Sequence, residues 1–528
     1  MRNFAVGKPK PTTLLIHIYI MQKNSFKVMA LIAVMGLTSS LTLISCSDDN
    51  TVTTTDTRHW TTDGGLKAAD NLLFNDNQIG NGDKEFVFTG KQTLKKGTYL
   101  LKGWVYVADG AELTIEPGTI IKGDKQTMAT IIVERGGKLI AQGTKDAPIV
   151  FTSNAPKGQR RPGDWGGLIL CGKAPHNAGQ AQIEGGPRTK HGGNDVHDNS
   201  GVLSYVRVEF AGYPFATDQE INGVTFGSVG DGTKVDHVQV SYSNDDSYEW
   251  FGGTVNCKHL IAFNGWDDDF DTDNGFSGHV QYGLSVRDPR IADKSQSNGF
   301  ESDNDASGST ATPTTSAVFS NMTFIGPKQI DSDFANTADY ITGGSLNPNN
   351  GSGLGKYQSA MQIRRGSRLN CINSVALGWP IGLIIDSEKG DTREQAKAGN
   401  IRLQNVWFGN MGVTGSDANK EYRDVLVNFV NKKPVADETQ QSYSTTFFLA
   451  QNGNRVATLS EMLLTGKSLF AGLRADFLPA AGSPLLNAAS FDGVSSNWFD
   501  KVSYIGAFST TADWLQGWTN FDPENTEY

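Results

Sequence analysis

The sequence predicts an all-β chain wound as a right-handed parallel β-helix and closed by a mixed C-terminal capping region. Three observations lead there. Glycine makes up 60 of 528 residues, with charged residues at 19% and aromatics at 10%. Such a composition suits short strands and many turns, and excludes collagen, coiled coil, polytopic membrane protein and simple disorder. The phrase VYVADGAEL (105–113) returns as IIVERGGKL (131–139), 26 residues on. Strands of about three to six residues then recur every eight to twelve over roughly 300 residues, with no linker-like break between Gly97 and Pro327. A sandwich of this length would divide into several domains, and propeller blades need ~40–45 residues, whereas one three-strand coil fits a period of 26.

Net charge is −10 and no basic block appears, so the phosphate-neutralising surface that nucleic acid requires is missing. Four cysteines, Cys46, Cys171, Cys257 and Cys371, are too few for a disulfide scaffold and lack CxxC spacing for zinc. The last three read as small buried hydrophobes.

From Met21 the chain runs MQKNSFKVMALIAVMGLTSSLTLISC, with Lys23 and Lys27 ahead of an apolar stretch from Val28 to Leu37 and a small residue before Cys46. This resembles a bacterial lipoprotein signal peptide, too short in its apolar part to span a bilayer of ~30 Å comfortably. The resemblance implies that 1–45 is removed, with 1–20 an upstream mis-start, and that Cys46 carries the lipid. Removing five bases and no acid would take the net charge to about −15. The SDDN that follows (47–50) is similar to the acidic export tag of Bacteroidetes surface lipoproteins, which implies a lipid-anchored protein of the outer membrane, exposed on the cell surface. Residues 46–88 are expected to form a flexible tether and N-terminal cap, 89–431 the β-helix and 432–528 the capping region, since an open last coil would expose strand edges and core.

The phrases LTIEPGT (113–119), GDWGGL (163–168), YVRVEFAG (205–212) and FGGTVN (251–256) resemble a family of bacterial secreted and surface proteins with a pectate-lyase-like β-helix. They cover most of 95–305. The resemblance implies a fold but little about activity, because β-helices serve as lyases, glycosidases, adhesins and spacers.

The middle coils carry acids in register. FDTDN (270–274) returns as FESDN (300–304), 30 residues on, and Tyr248-Glu249 lies 22 residues before Phe270-Asp271; the difference fits an inserted turn near 287–294. Strand alternation sends Tyr248, Phe270 and Phe300 to one face and Glu249, Asp271 and Glu301 to the other. Large aromatics belong inside a coil, so the carboxylates form an outward ladder at about 4.8 Å spacing, with Asp273 over Asp303 as a second row. Unit charges at that range repel by about 1 kcal/mol in water and about 4 at an effective dielectric of 20, so the column wants a cation or a proton. Hard oxygen donors suit Ca²⁺, and Glu249, Asp269, Asp271, Asp273, Glu301, Asp303 and Asp305 are its candidate ligands, with Asp245, Asp246, Asp267 and Asp268 on flanking turns. The spacing departs from an EF-hand loop, since Gly275 falls one place late and no Glu stands at position twelve. Two other readings stay open: solvated acidic turns, and a catalytic cluster in which close carboxylates split their pKa values.

In the strand MQIR (361–364), Arg364 should face outward beside Asp303, either as a structural ion pair or as a cation beside bound metal, as in β-helix polysaccharide lyases. On that reading Asp271, Glu301, Asp303 and Arg364 are the catalytic candidates. The Gly- and Asn-rich stretch 347–355 reads as a loop overhanging this face. Trp250, Trp266 and Trp379, with Trp165 and Tyr213, are candidates for stacking on sugar rings, or else packing between coils. His191, Asp195, His197 and Asp198 form a weaker metal-ligand candidate. Gly466-Lys467-Ser468 lacks the upstream glycine of a phosphate loop, Thr458 with Glu461 reads as a helix capping box, and neither HExxH nor GxSxG occurs. The expected function is binding of an extracellular ligand, a glycan, on a cation-stabilised acidic and aromatic face. The alternatives are a polysaccharide lyase or glycoside hydrolase, and a structural or accessory protein of an outer-membrane uptake system.

Overall fold

The computed structural model describes residues 69–528 apart from 184–187, 217–218, 466–477 and 512. The signal segment, Cys46, the SDDN tag and the Gly466-Lys467-Ser468 stretch lie outside the described residues. No helix among the described residues is long and apolar enough to cross a membrane.

Two long, mainly parallel sheets of 16 and 11 strands form the body, which is a parallel β-helix. Its first coils have three separate strands, such as Glu112–Ile115, Ile120–Gly123 and Thr130–Val133. The 26-residue repeat is one coil: Val105 pairs with Ile131 and Leu113 with Leu139. From Gly201–Glu209 onward, two of the three strands fuse. That strand pairs with both Lys138–Gln142 and Ile149–Ser153, through Leu139 with Gly201 and Ile149 with Val206.

The fused strand turns its corner at Tyr205, whose φ is +51°. The same left-handed corner is taken in register by His237, His259, Tyr282, Asn321, Asn373 and Asn405. Asn tolerates this conformation because its short amide can bond locally. The ring residues are instead held by their neighbours, in a stack with centroid separations of 4.4 Å (Tyr205–His237), 4.2 Å (His237–His259) and 4.8 Å (His259–Tyr282).

Inside, alternation builds columns that run the length of the solenoid. One runs Ile115, Ala141, Leu203, Val235, Cys257, Val280, Phe319, Cys371 and Leu403, all buried. Two cysteines thus occupy aliphatic core positions, and Cys171 is likewise buried and free. The facing column includes Ile131, Leu168, Val224, Tyr248, Phe270, Phe300, Met361 and Leu383. Tyr248 and Phe270 stack at 5.5 Å.

The region after 432 divides in two. The helix Tyr443–Ala450 covers the last coils, N-capped by Ser442, with Phe448 stacked on Phe408 at 4.1 Å. Close approach is possible because Gly415 has no side chain; a Cβ there would meet Thr445 N at 2.6 Å. Thr458 and Glu461 make the reciprocal bonds of a capping box, at 2.7 and 3.2 Å, but only a turn follows, not the expected helix. The last forty residues run back along the flank as a strap. Ser490 N–H bonds Asn373 Oδ1, Tyr504 and Gly506 carbonyls take Asn321 Nδ2, Asp500 pairs with Gln281, Asn520 with Gln239, and Arg160 donates to the Pro523 and Thr526 carbonyls. Amide side chains on the sheet's outer face thus present donor and acceptor to the strap as a neighbouring strand would.

Candidate functional site

Strand register places the acids as alternation dictates. Glu249 pairs with Asp271 and Asp271 with Glu301, while Phe300 pairs with Met361, which sets Gln362 beside Glu301 and Arg364 beside Asp303. The inserted residues lie in the connection 287–299, longer than the 264–269 connection one coil earlier, and leave the ladder unbroken. Along its edges, Asn350 and Ser352 reach Asn244 at 3.3 and 2.8 Å, so the 347–355 loop does overhang the turn that carries Asp245 and Asp246. On the opposite edge Asn177 donates to the Asn304 carbonyl at 2.6 Å.

The ladder recruits two turn residues that alternation alone does not assign to it. Asp246, Glu249 and Asp271 form one triad of ligand atoms, and Asp268, Asp271 and Glu301 form another, each within 4.8 Å; Asp245, Asp246 and Asp267 make a third. Asp246 and Asp268 are brought in because each turn packs on the next, with Asp246 Oδ1 accepting the Asp268 N–H at 2.8 Å. Asp271 belongs to two triads, and its Oδ1 is buried with no hydrogen-bond partner.

Burial, reinforced by neighbouring carboxylates, holds Asp246, Asp268 and Asp271 well above the ordinary carboxylate range. Asp267 and Asp273 are each pushed up to about 8 by burial and then by Asp293 and Asp303 respectively. Glu301 rises to about 7 through burial, against the pull of Arg364. The donor set fits a hard divalent cation, being all oxygen, clustered and short of positive charge at its centre. Glu249, Asp271 and Glu301 from the strands, with Asp246 and Asp268 from the turns, are the residues that would hold it.

The second row is differently occupied. Arg364 bonds Asp303 through Nε at 2.9 Å and Glu301 through Nη2, and Arg365 reaches Asp303 at 2.6 Å. Asp303 is thereby neutralised from two sides, and Asp273 spends one oxygen on the Asn274 N–H at 2.6 Å.

Several expected site residues stand elsewhere. Asp269 is fully buried and paired with Arg287 at 2.7 Å, because the turn before Phe270 directs it toward the core and away from the ladder. Asp305 closes its own loop, accepting the Ser307 and Ser309 N–H groups at 2.8 and 3.1 Å. Trp250, Trp266 and Trp379 are fully buried, as is Trp165, so none of these four rings is open to a sugar, while Tyr213 is half-buried. Trp250 shares its parity with Tyr248 and therefore points inward, stacked on Phe226 at 5.5 Å and Phe276 at 5.4 Å. His191, His197 and Asp198 take separate partners in Ser228, Asp231 and Ser200, and do not converge with Asp195 on a site.

Among curated proteins, none matches the chain. The sequence profile described as a pectate-lyase like beta helix domain matches residues 87–459, more than half of the chain and the whole of the acidic face. The matched span coincides with the stacked coils and ends near the strap. The chain belongs to the pectate-lyase-like β-helix family.

Proposed function

We propose that the acidic face of Glu249, Asp271 and Glu301, joined by Asp246 and Asp268, binds Ca²⁺ and through it an extracellular glycan. The observation that carries this reading is Asp271: it is shared by two carboxylate triads and has a buried oxygen without a partner. Such an atom is costly unless a proton or cation meets it. With Trp165, Trp250, Trp266 and Trp379 buried, recognition on this face rests on the cation and on polar groups, which favours glycans bearing carboxylates. The lipoprotein-like segment ending at Cys46 and the SDDN tag support placement of this face outside the cell on a lipid anchor in the outer membrane, and replacing Cys46 with Ala should release the protein from membranes.

Titration of an acidic-glycan panel with and without Ca²⁺ tests the binding reading. Affinity should require Ca²⁺ and fall by at least about tenfold in Asp271→Asn; calcium-independent binding, or none across the panel, counts against it. Glu301 favours a second reading as a lyase, since a carboxyl near 7 beside Arg364 is suited to proton transfer at neutral pH. Ultraviolet absorbance growing during the same incubations would favour the enzyme, and a flat trace would leave binding.

A further inference from the structure

The corner stack carries a second cluster of ligand atoms, unrelated to the acidic face. Asp236, His237 and His259 bring one carboxylate oxygen and two imidazole nitrogens within 4.8 Å of one another. His259 Nδ1 lies 2.8 Å from Asp236 Oδ1 and bonds it, while His237 Nδ1, 2.9 Å from the same oxygen, is buried without a properly directed hydrogen-bond partner. One acceptor is thus shared by two ring nitrogens and satisfies only one.

The geometry points to a borderline divalent metal site, of the zinc class, formed by Asp236 Oδ1, His237 Nδ1 and His259 Nδ1. Two imidazoles and a carboxylate suit Zn²⁺, Ni²⁺ or Cu²⁺ better than Ca²⁺, which prefers oxygen alone. The rings are already fixed: Tyr205 and Tyr282 sandwich them, and Trp514 of the strap meets His259 at 5.2 Å. Each ring would ligate as neutral imidazole, its Nδ1 proton passing to Nε2. Burial keeps His259 below its usual range, and although burial opposes the charge on Asp236, the two imidazoles beside it hold that carboxyl low. Lys258, in register with Asp236, is turned to Asp500 at 2.8 Å and lies over Trp498.

Tetrahedral zinc with bonds of ~2.0–2.1 Å needs ligand atoms about 3.3 Å apart, a few tenths more than the 2.8 and 2.9 Å from Asp236 Oδ1 to the two imidazoles. Asp236 can supply that movement, because its side chain is 30% exposed and lines a cavity of about 570 Å³. The same cavity, walled also by Asn256, Lys258 and Trp498, brings solvent to the Asp236 side of the cluster.

Titrating metal-stripped protein with ZnCl₂ by calorimetry, and with Co²⁺ by visible absorption, tests the site. One equivalent of Zn²⁺ should bind, with nitrogen-type Co²⁺ bands, and raise the melting temperature. Asp236→Asn and His259→Gln should each weaken binding by at least about tenfold. Circular dichroism verifies the fold of both variants, and Asp236→Asn stands alone if His259→Gln fails to fold. His197→Gln, whose imidazole pairs with Asp231 away from the cluster, should bind as wild type. No binding at millimolar Zn²⁺, or loss of binding in His197→Gln with retention in Asp236→Asn, overturns the assignment.

Discussion

Gln239 and Asn520, 281 positions apart, exchange two hydrogen bonds: Gln239 Nε2 donates to the Asn520 carbonyl at 2.6 Å, and the Asn520 N–H donates to Gln239 Oε1 at 2.9 Å. Gln281 does the same with Asp500 at 2.8 and 2.9 Å. A side-chain amide here offers the strap the donor and acceptor that a strand backbone would.

Replacing Gln239 or Gln281 with Ala strips the strap of both bonds at that point and leaves partly buried backbone groups unpaired, at a cost of about 1–3 kcal/mol. Urea unfolding should register the loss, and hydrogen exchange should rise in 498–528 before it rises in the coils. Unchanged exchange in that segment would mean that these glutamine bonds do not hold the strap.

Asp271→Asn has opposite effects with and without cation. In chelated protein near pH 8 it removes an acid that burial, with Glu301, Glu249, Asp268 and Asp303 around it, keeps from ionising as it would in the unfolded chain, so the melting temperature should rise. In calcium the wild type should gain stability by RT ln(1 + [L]/Kd), about 2.7 kcal/mol at a hundredfold excess over Kd, and the variant should gain much less. Equal calcium shifts in both proteins would remove Asp271 from the site.

The pH profile follows from the same groups. Asp267 and Asp273 sit near 8 and Glu301 near 7 in the folded chain, above their ordinary 3.8 and 4.5. A raised acid keeps its proton in the folded state after the unfolded chain has lost it, so stability falls as pH climbs from about 4 to about 8, by on the order of 1 kcal/mol per pH unit for each such group. Chelated protein should therefore melt highest near pH 4–5, and the stabilisation by calcium should grow with pH. Thermal scans from pH 4 to 9 with and without chelator check both slopes.

Trp250→Ala should behave as a core mutation. Its ring lies among Phe226, Tyr248 and Phe276, and truncation should cost about 3–5 kcal/mol. At temperatures where the variant stays folded, its affinity for a glycan bound by the wild type should be unchanged; a selective loss of affinity would mean the ring reaches the ligand.

Much of the acidic face was legible because alternation is strictly local. Glu249, Asp271 and Glu301 follow from their parity with Tyr248, Phe270 and Phe300, whatever the inserted turn does between them. The same parity sends Trp250 inside, and of its two readings packing between coils is the one the structure takes. Asp246 and Asp268 sit on turns, where no period fixes direction, and only stacking of one turn on the next brings them to the ladder. Asp269 could not be separated from its neighbours by pattern, because its partner Arg287 lies in the connection that interrupts the repeat. The strap left no periodic trace at all: Gln239, Gln281 and Asn321 look like ordinary outward polar residues until 488–528 is laid over them.

A solenoid whose coils touch only their neighbours unfolds piecemeal, fraying from either end as a sum of local terms. The strap alters that accounting, since one short stretch near the end of the chain contacts coils from Arg160 through Arg207, Gln239 and Gln281 to Asn373. Loops of some hundreds of residues are closed by these bonds, which slows folding, because distant contacts must be found before they stabilise anything. During synthesis the coils are made first and stand with their flank uncovered until the final segment arrives. Docking of that segment then couples the melting of distant coils, so that a stack of repeats unfolds as one unit.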